Sequence, residues 1–195
     1  MRNRKWLMAA FGVVVFSTII FLGWRRHGPN SFEAAFQPGG HIVLDLSIGG
    51  FTIQGTNENQ IRVEVSQGDL PYVHSEVIAA GSTAKVSLDG PSDNFHATIY
   101  VPQQSNISAS QTIGDLRVVN VEGDKDLGLN IGNVRVEVPD PAKVRAVDAS
   151  VRLGDVHAAA WREGHGGFFP SFHAKGTGNH FVNASVDIGH IELSN

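Results

Sequence analysis

Hydrophobic and polar positions alternate around a short phrase that recurs five times along the chain. Each copy has an apolar residue directly before a central glycine, and further small or apolar residues at every second position on either side. The copies cover residues 44–53, 109–118, 127–136, 149–158 and 184–193. A period of two predicts strands, and the return of one phrase is typical of repetitive β architectures.

The centre of each copy predicts a tight corner or reversal of the backbone. The residues that follow the five glycines are of types that tolerate positive φ, which suits a turn better than a phosphate-binding loop. Gln111 is the exception to the apolar pattern before the glycine. The five central pairs are Gly49-Gly50, Gly114-Asp115, Gly132-Asn133, Gly154-Asp155 and Gly189-His190.

The remaining chain also predicts strands, and only residues 158–161 favour a single helical turn. The class is therefore all-β. Gly132 follows Gly114 by 18 residues and Gly154 follows Gly132 by 22, which is about the length of one solenoid coil. We predict a β-solenoid, or β-helix-like, domain after one N-terminal transmembrane helix. An antiparallel β-sandwich or meander is the alternative, since a two-residue Gly-Asp link also closes hairpins. Further strands are expected near 41–46, 52–54, 60–65, 73–79, 84–88 and 96–101.

The N-terminus carries an uncharged apolar run over residues 6–24, long enough to span a bilayer. Basic residues flank it on both sides, and a tryptophan stands at each end, where interfacial aromatics are found. We predict an anchor over residues 1–27, a linker over 28–40 and a β-repeat domain over 41–195. A cleaved signal peptide is the alternative, although no small-x-small cleavage site follows the run. The excess of basic charge before the run places the N-terminus in the cytoplasm and the β-domain in the periplasm or outside the cell.

Charge and cysteine content narrow the classes of function. The formal net charge is -4, and five of the fifteen basic residues stand at or before Arg26, so the rest of the chain is more acidic than the total indicates. No basic patch points to nucleic acid. The chain has no cysteine, which excludes disulfides, thiol chemistry and lipid attachment through cysteine.

Four segments resemble the repeats of the bacterial putative-adhesin family. They are TIGDLRV at 112–118, VEGD at 121–124, NIGNVRVEV at 130–138 and RLGDV at 152–156. The resemblance covers roughly residues 40–195 and implies a repetitive β domain, often tethered to a membrane, with no established catalytic residues. The chain differs from that pattern by Ile or Leu where Ser is common before the glycine, and by a glycine-rich insertion at 164–178.

Stacking of the repeats predicts one candidate binding face. Arg117, Arg135 and His157 occupy the same outward position of three copies, where two guanidinium groups could bind a phosphate or an acidic glycan. A solvated face balanced by neighbouring acidic residues is the alternative interpretation.

Other candidate sites are weaker. Asp115, Asn133 and Asp155 could offer oxygen ligands to Ca²⁺, but turns favour the same residue types. The late histidines, such as His165 and His173, show no recognised ligand spacing. No nucleophile motif is present, so we expect that the protein is not an enzyme. We also expect no cofactor and no metal site.

These observations predict a non-enzymatic, membrane-anchored module of the bacterial envelope that acts in adhesion, as a scaffold or in envelope interactions. Its expected partners are the membrane, through residues 6–24, and an envelope glycan or another envelope protein. The alternatives are an envelope stress sensor or regulatory partner, and a polysaccharide-active enzyme on a β-helix.

Overall fold

A computed structural model describes residues 25–28, 31–66, 74–90, 94–138 and 140–195. Within these ranges the chain is all-β, as predicted, with two short 3₁₀ turns at Pro141–Lys143 and Ala159–Trp161. No helix among these residues is long and apolar enough to cross a membrane. The anchor predicted over residues 6–24 lies outside the described residues.

The strands form one open, mixed sheet. Its main order is β1–β2–β4–β7–β3–β8–β9–β13–β10–β11, with β12 joined to β10 and the β5–β6 pair joined to β3. The strand bounds are β1 Arg25–Gly28, β2 Ser31–Ala35, β3 His41–Thr56, β4 Gln60–Val65, β5 His74–Ala80, β6 Thr83–Asp89, β7 His96–Pro102, β8 Asn106–Val119, β9 Lys125–Glu137, β10 Val144–Ala158, β11 Glu163–Phe168, β12 Ser171–Lys175 and β13 His180–Ser194.

The five glycine phrases lie in five long strands at the centre of the sheet. β3, β8, β9, β13 and β10 pair in parallel, and their registers place glycine opposite glycine at every step. Equivalent positions of the phrase therefore form continuous rows that run across the sheet, perpendicular to the strands.

Each long strand bends at its glycine and so has two arms. In β8, Ile107, Ala109 and Gln111 are buried before the corner, and Leu116 and Val118 are buried after it. The inward positions change phase at the corner, because Leu116 follows Gln111 by five positions, an odd number, whereas inward positions within one arm are two apart. Side chains of both arms form one hydrophobic core. The sheet is thus folded along its glycine row, with arm one before the corner and arm two after it.

Beyond the central strands the two arms continue as separate branches of the sheet. Arm one of β3 pairs with β6 and then β5, whereas arm two pairs with β7 and then β4, β2 and β1. At the other end, arm one of β10 pairs with β12 and arm two pairs with β11. Residues 28–40, predicted as a linker, include β2 and the buried side chains of Ala34 and Phe36.

The order of the central strands differs from that of a sequential β-solenoid. β13 lies between β9 and β10, although it follows both in the chain. Stacking in chain order would instead have paired β9 directly with β10. The antiparallel meander does not describe the central region either, since the glycine phrases are corners within continuous strands that pair in parallel. What the two predictions share, an all-β fold, is confirmed.

The corner requires glycine for two reasons. The central glycines themselves have positive φ, for example 135° at Gly132. Asp115 and Asn133, which the sequence suggested as residues with positive φ, do not have it. A Cβ on Gly132 would also overlap the carbonyl oxygen of Gly114 on the neighbouring strand. The same overlap recurs along the row, so the close approach of the corners excludes any side chain there.

Two polar residues occupy inward positions of the central strands. Gln111 stands in register with Leu46 and Leu129, and its amide nitrogen donates to the carbonyl oxygens of Gly49 at 2.8 Å and Ile113 at 3.0 Å. These two hydrogen bonds to the backbone of the corner explain why a polar residue, Gln111, interrupts the apolar pattern. Lys125 fills the inward position that Ile107 occupies on β8, and its Nζ donates to the Gly123 carbonyl at 2.8 Å.

Candidate binding groove on arm two

The outer surface of arm two carries a shallow, open groove of about 640 Å³. It begins at β7, where His96 and Thr98 lie, and crosses the second arms of β3, β8, β9 and β13. The outward positions that follow the glycine corners supply its polar groups. These side chains are Thr52, Asp115, Arg117, Asn133, Arg135, His190 and Glu192.

The arginine pair predicted from the repeats meets in this arm-two groove. Arg117 and Arg135 are register partners on β8 and β9, and both side chains are exposed. His157 belongs to the same row but lies two strands further on, because Glu192 of β13 separates it from Arg135. The structure thus brings two of the three predicted residues together.

The two guanidinium groups have different electrostatic surroundings. Arg135 Nε lies 2.6 Å from Glu192 Oε2, in an exposed ion pair that neutralises much of its charge. Arg117 forms no ion pair with any residue in the described ranges. It stands between Thr52 and Arg135 in the row. Arg117 therefore carries a positive charge without a direct ion-pair partner in the middle of the groove, with the carboxylate of Asp115 two positions earlier on the same strand.

A row of polar side chains borders the groove at the corner. Asn133 Nδ2 donates to Asp115 Oδ1 at 2.7 Å, and His190 Nδ1 lies 3.0 Å from Asp155 Oδ2. The calcium hypothesis required Asp155 beside Asn133, but His190 lies between them. Over the described parts of the chain, no three His, Asp or Glu side chains gather as metal ligands would.

Sequence reasoning missed three contributors to the groove: His96, His190 as a neighbour of Asn133, and Glu192 as the partner of Arg135. His96 is on β7, which has no glycine phrase, so no repeat marked it. The neighbours of His190 and Glu192 could not be predicted, because the sequence does not show that β13 lies beside β9. Glu192 was recognisable as the equivalent of Arg135 in its own copy of the phrase.

The late histidines lie apart from one another. Each faces its own carboxylate: His165 lies 3.6 Å from Glu163, His180 lies 3.5 Å from Asp124, and His173 contacts Asp148. These three histidines lie outside the arm-two groove, whereas His190, also late in the chain, lines it.

Three phenylalanines of the glycine-rich insertion have two different environments. From the sequence alone, Phe168, Phe169 and Phe172 either cap the open end of the stack, which is the favoured interpretation, or form an exposed apolar patch. Phe172 caps that end: it is buried, and its ring centroid lies 5.3 Å from that of Trp161. Phe168 and Phe169 are instead 81% and 72% exposed. Phe168 ends β11, whose residues are all exposed, and Phe169 follows it with a positive φ of 56°. For these two residues the capping prediction was wrong.

Comparison with known proteins supports the fold. No family model and no curated protein sequence matches the chain. A solved structure from Clostridium sporogenes ATCC 15579, named a putative cell adhesion protein, is similar with a TM-score of 0.54 at 12% identity, covering 86% of this chain and 99% of that one. A putative adhesin from Bacteroides fragilis NCTC 9343 aligns at a TM-score of 0.38 and 11% identity, over 84% of this chain and 95% of that one.

At this level of identity the Clostridium structure shows a shared fold. The resemblance to putative adhesins that the glycine phrases predicted is thereby confirmed for the architecture. Nothing about a ligand follows from it, so the groove has to be interpreted from its own residues.

Proposed function

We propose that this chain is a non-enzymatic module of the bacterial envelope that binds an acidic polymer, such as a uronate- or phosphate-containing glycan, through the arm-two groove. In this proposal residues 6–24 anchor the chain in the membrane, and the β-domain faces the periplasm or the exterior. The register pairing of Arg117 with Arg135 is the observation that carries the assignment.

Paired guanidinium groups suit an anionic ligand, because each can donate two parallel hydrogen bonds to a carboxylate or a phosphate. The free charge of Arg117 would attract the ligand, while Arg135 would exchange part of its contact with Glu192 for the bound anion. Neighbouring hydroxyl and amide groups, on Thr52 and Asn133, suit the hydroxyl groups of a sugar.

The open shape of the groove favours a polymer over a small molecule. Pockets for small molecules bury most of their ligand, whereas this groove is shallow and open to solvent and has charged side chains along it. Each contact would be weak, and a polymer that engages many copies of the domain would gain affinity by multivalency.

Binding of the full chain to polygalacturonate, with uncharged dextran as the comparison polymer, tests the proposal. We expect the wild-type chain to bind polygalacturonate in a salt-sensitive manner and to ignore dextran. Arg117→Ser should reduce binding more than Arg135→Ser, because Arg135 is already compensated by Glu192. Arg145→Ser, an exposed arginine of β10 outside the groove, is the matched control and should bind like the wild type. Equal losses in Arg117→Ser and Arg145→Ser would show that binding follows net charge and not the groove.

A further inference from the structure

The glycine corners expose a continuous row of apolar side chains. The residue before four of the five glycines is exposed: Ile113, Ile131, Ile188 and Leu153 are 38%, 45%, 42% and 42% exposed, whereas Ile48, before Gly49, is half-buried. β9 and β13 are adjacent, so these residues follow one another across β8, β9, β13 and β10. Phe168 of β11 pairs with Leu153 and extends the row. We call these five side chains the corner ridge.

The ridge is long for an exposed apolar feature. Neighbouring strands lie about 4.8 Å apart, so five strands give a ridge of roughly 20 Å. Contiguous apolar patches of this kind on soluble surfaces mark sites of association. The identities are also uniform: all five positions hold large apolar residues, although nothing in the corner geometry demands them there.

The polar borders of the ridge show what would cover it. On the arm-one side the border is Thr112, Asn130, Asp187 and Arg152, and on the arm-two side it is Asp115, Asn133, His190 and Asp155. From β13 to β10, the arm-one border changes from the carboxylate of Asp187 to the guanidinium of Arg152. The arm-two border runs from imidazole to carboxylate, which is the opposite order.

We infer that the corner ridge is the interface of a homodimer, in which two copies pack ridge against ridge around a two-fold axis parallel to the ridge. Such an axis places each ridge residue opposite its own copy and brings the arm-one border of one chain onto the arm-two border of the other. Within one chain Arg152 already lies 3.4 Å from Asp187, and His190 lies 3.0 Å from Asp155. In the dimer Arg152 also faces Asp155 of the second copy, and Asp187 faces His190. The ridge is complementary to itself in both apolar contact and charge.

The other two-fold arrangement is less favourable. An axis perpendicular to the ridge would reverse the strand order and bring Asp115 of one copy against Asp155 of the other, a juxtaposition of like charges. The charge pattern therefore selects between the two arrangements. Asp115, Asn133 and His190 of the arm-two border also line the corner edge of the arm-two groove, but the test of the dimer does not depend on the ligand proposed above.

The test uses cysteine, which the natural chain lacks. Full-length chains with a single Ile113→Cys or Leu153→Cys substitution are expressed in cells and treated with a short, membrane-permeant bismaleimide. Both variants should form covalent dimers, because a parallel two-fold axis brings each cysteine opposite itself. Ser110→Cys, an exposed position on the outer face of arm one, is the matched control and should remain monomeric.

A second substitution tests the apolar contact itself. Ile131→Asp, added to the Ile113→Cys chain, should weaken dimerisation by at least about tenfold, because burial of an uncompensated carboxylate costs more than the roughly 1.4 kcal/mol that a tenfold change represents. Since residue 131 is exposed, the monomer should keep its fold, and its resistance to limited proteolysis checks this.

Several outcomes would overturn the inference. Equal cross-linking at residues 110 and 113, or no cross-linking at either ridge position, would exclude a ridge dimer. Undiminished cross-linking in the Ile131→Asp chain would exclude an apolar interface. If purified Ile113→Cys protein is monomeric and its cysteine becomes shielded from maleimide only when phosphatidylcholine vesicles are added, the ridge binds a bilayer instead.

Discussion

The central strands and the end strands of this sheet are built by different rules. In the centre, five bent strands pair in parallel with identical phrases in register, so every glycine corner contacts equivalent corners on its neighbours. At the ends, short strands such as β4, β11 and β12 pair in antiparallel fashion and join only one arm. Most end strands thus belong to one half of the folded sheet.

This difference shows where adjacent strands restrict the residue types that a position can hold. A corner residue is set by close backbone contacts with adjacent strands, so one substitution disturbs several copies of the phrase. An end strand contacts fewer partners and can vary locally. The ends also face the hazard of unpaired sheet edges, which the short, charged or glycine-rich strands at the β11 end reduce.

Replacing a central corner glycine should have the largest effect. Gly132→Ala forces a side chain onto positive φ and into the Gly114 carbonyl, and we expect a loss of more than about 4 kcal/mol in the free energy of unfolding, measured with urea. Gly128→Ala in the same strand is the control, because its Cβ would find no atom closer than 3.9 Å. It should stabilise by up to about 1 kcal/mol. Similar losses for both would refute the corner explanation.

Removing the aromatic cap should have a large but local effect. Phe172→Ala leaves a cavity beside Trp161 and should cost about 3 kcal/mol, with faster amide hydrogen exchange in β11 and β12. The corner strands β8 and β9 should keep their protection. Phe168→Ala, at an exposed position, should change stability by less than about 0.5 kcal/mol. Faster exchange throughout the sheet would mean that the end is not an independent unit.

The buried lysine of the central region should give stability a pH dependence. Burial lowers the pKa of Lys125 from 10.5 to about 8, although Asp124 and Glu122 oppose the change. Between these two values the unfolded chain holds more protons than the folded one. Stability should therefore rise with pH across this window, by roughly 3 kcal/mol at most.

Lys125→Met separates this effect from other titrations. Methionine suits the inward position that Ile107 and Val182 occupy on the neighbouring strands. The variant should be more stable than the wild type at neutral pH, and the difference should shrink in urea titrations from about pH 7 to about pH 11. A constant difference over that range would exclude titration of Lys125 as its cause.

The smallest effect is expected on the outer face of the centre. The Arg135–Glu192 pair is exposed, so Arg135→Ser should reduce stability by less than about 1 kcal/mol. A double-mutant cycle with Glu192→Gln measures the coupling, and added salt should weaken it further. A larger coupling would show that the outer rows stabilise the sheet as strongly as the corners do.

The sequence predicted the parts of the fold that depend on local chemistry. The period of two and the glycine phrases correctly indicated strands with corners, and the spacing correctly placed Arg117 beside Arg135. Strand order was beyond it, because the phrases around Gly132, Gly154 and Gly189 are similar enough to pair in more than one order. Long-range packing decides that β13 takes the middle place, and with it the positions of His157 and Glu192.

The corner ridge was missed for a related reason. An apolar residue in a strand pattern predicts burial, and Ile113, Ile131, Ile188 and Leu153 fit that pattern in sequence. The bend at the following glycine turns them outward instead. These residues can be distinguished from core residues only by the change of phase at the corner. That change is visible only when the inward positions of both arms are known.

The insertion of β13 between β9 and β10 also bears on how the chain reaches its native state. β9 and β10 leave the ribosome before the strand that must separate them, and they carry phrases that could pair directly in the same parallel register. Such a pairing would have to open before β13 could enter, which makes it a kinetic trap in a topology already rich in long-range contacts. We therefore expect this sheet to fold faster when the two strands remain apart until the third has been made.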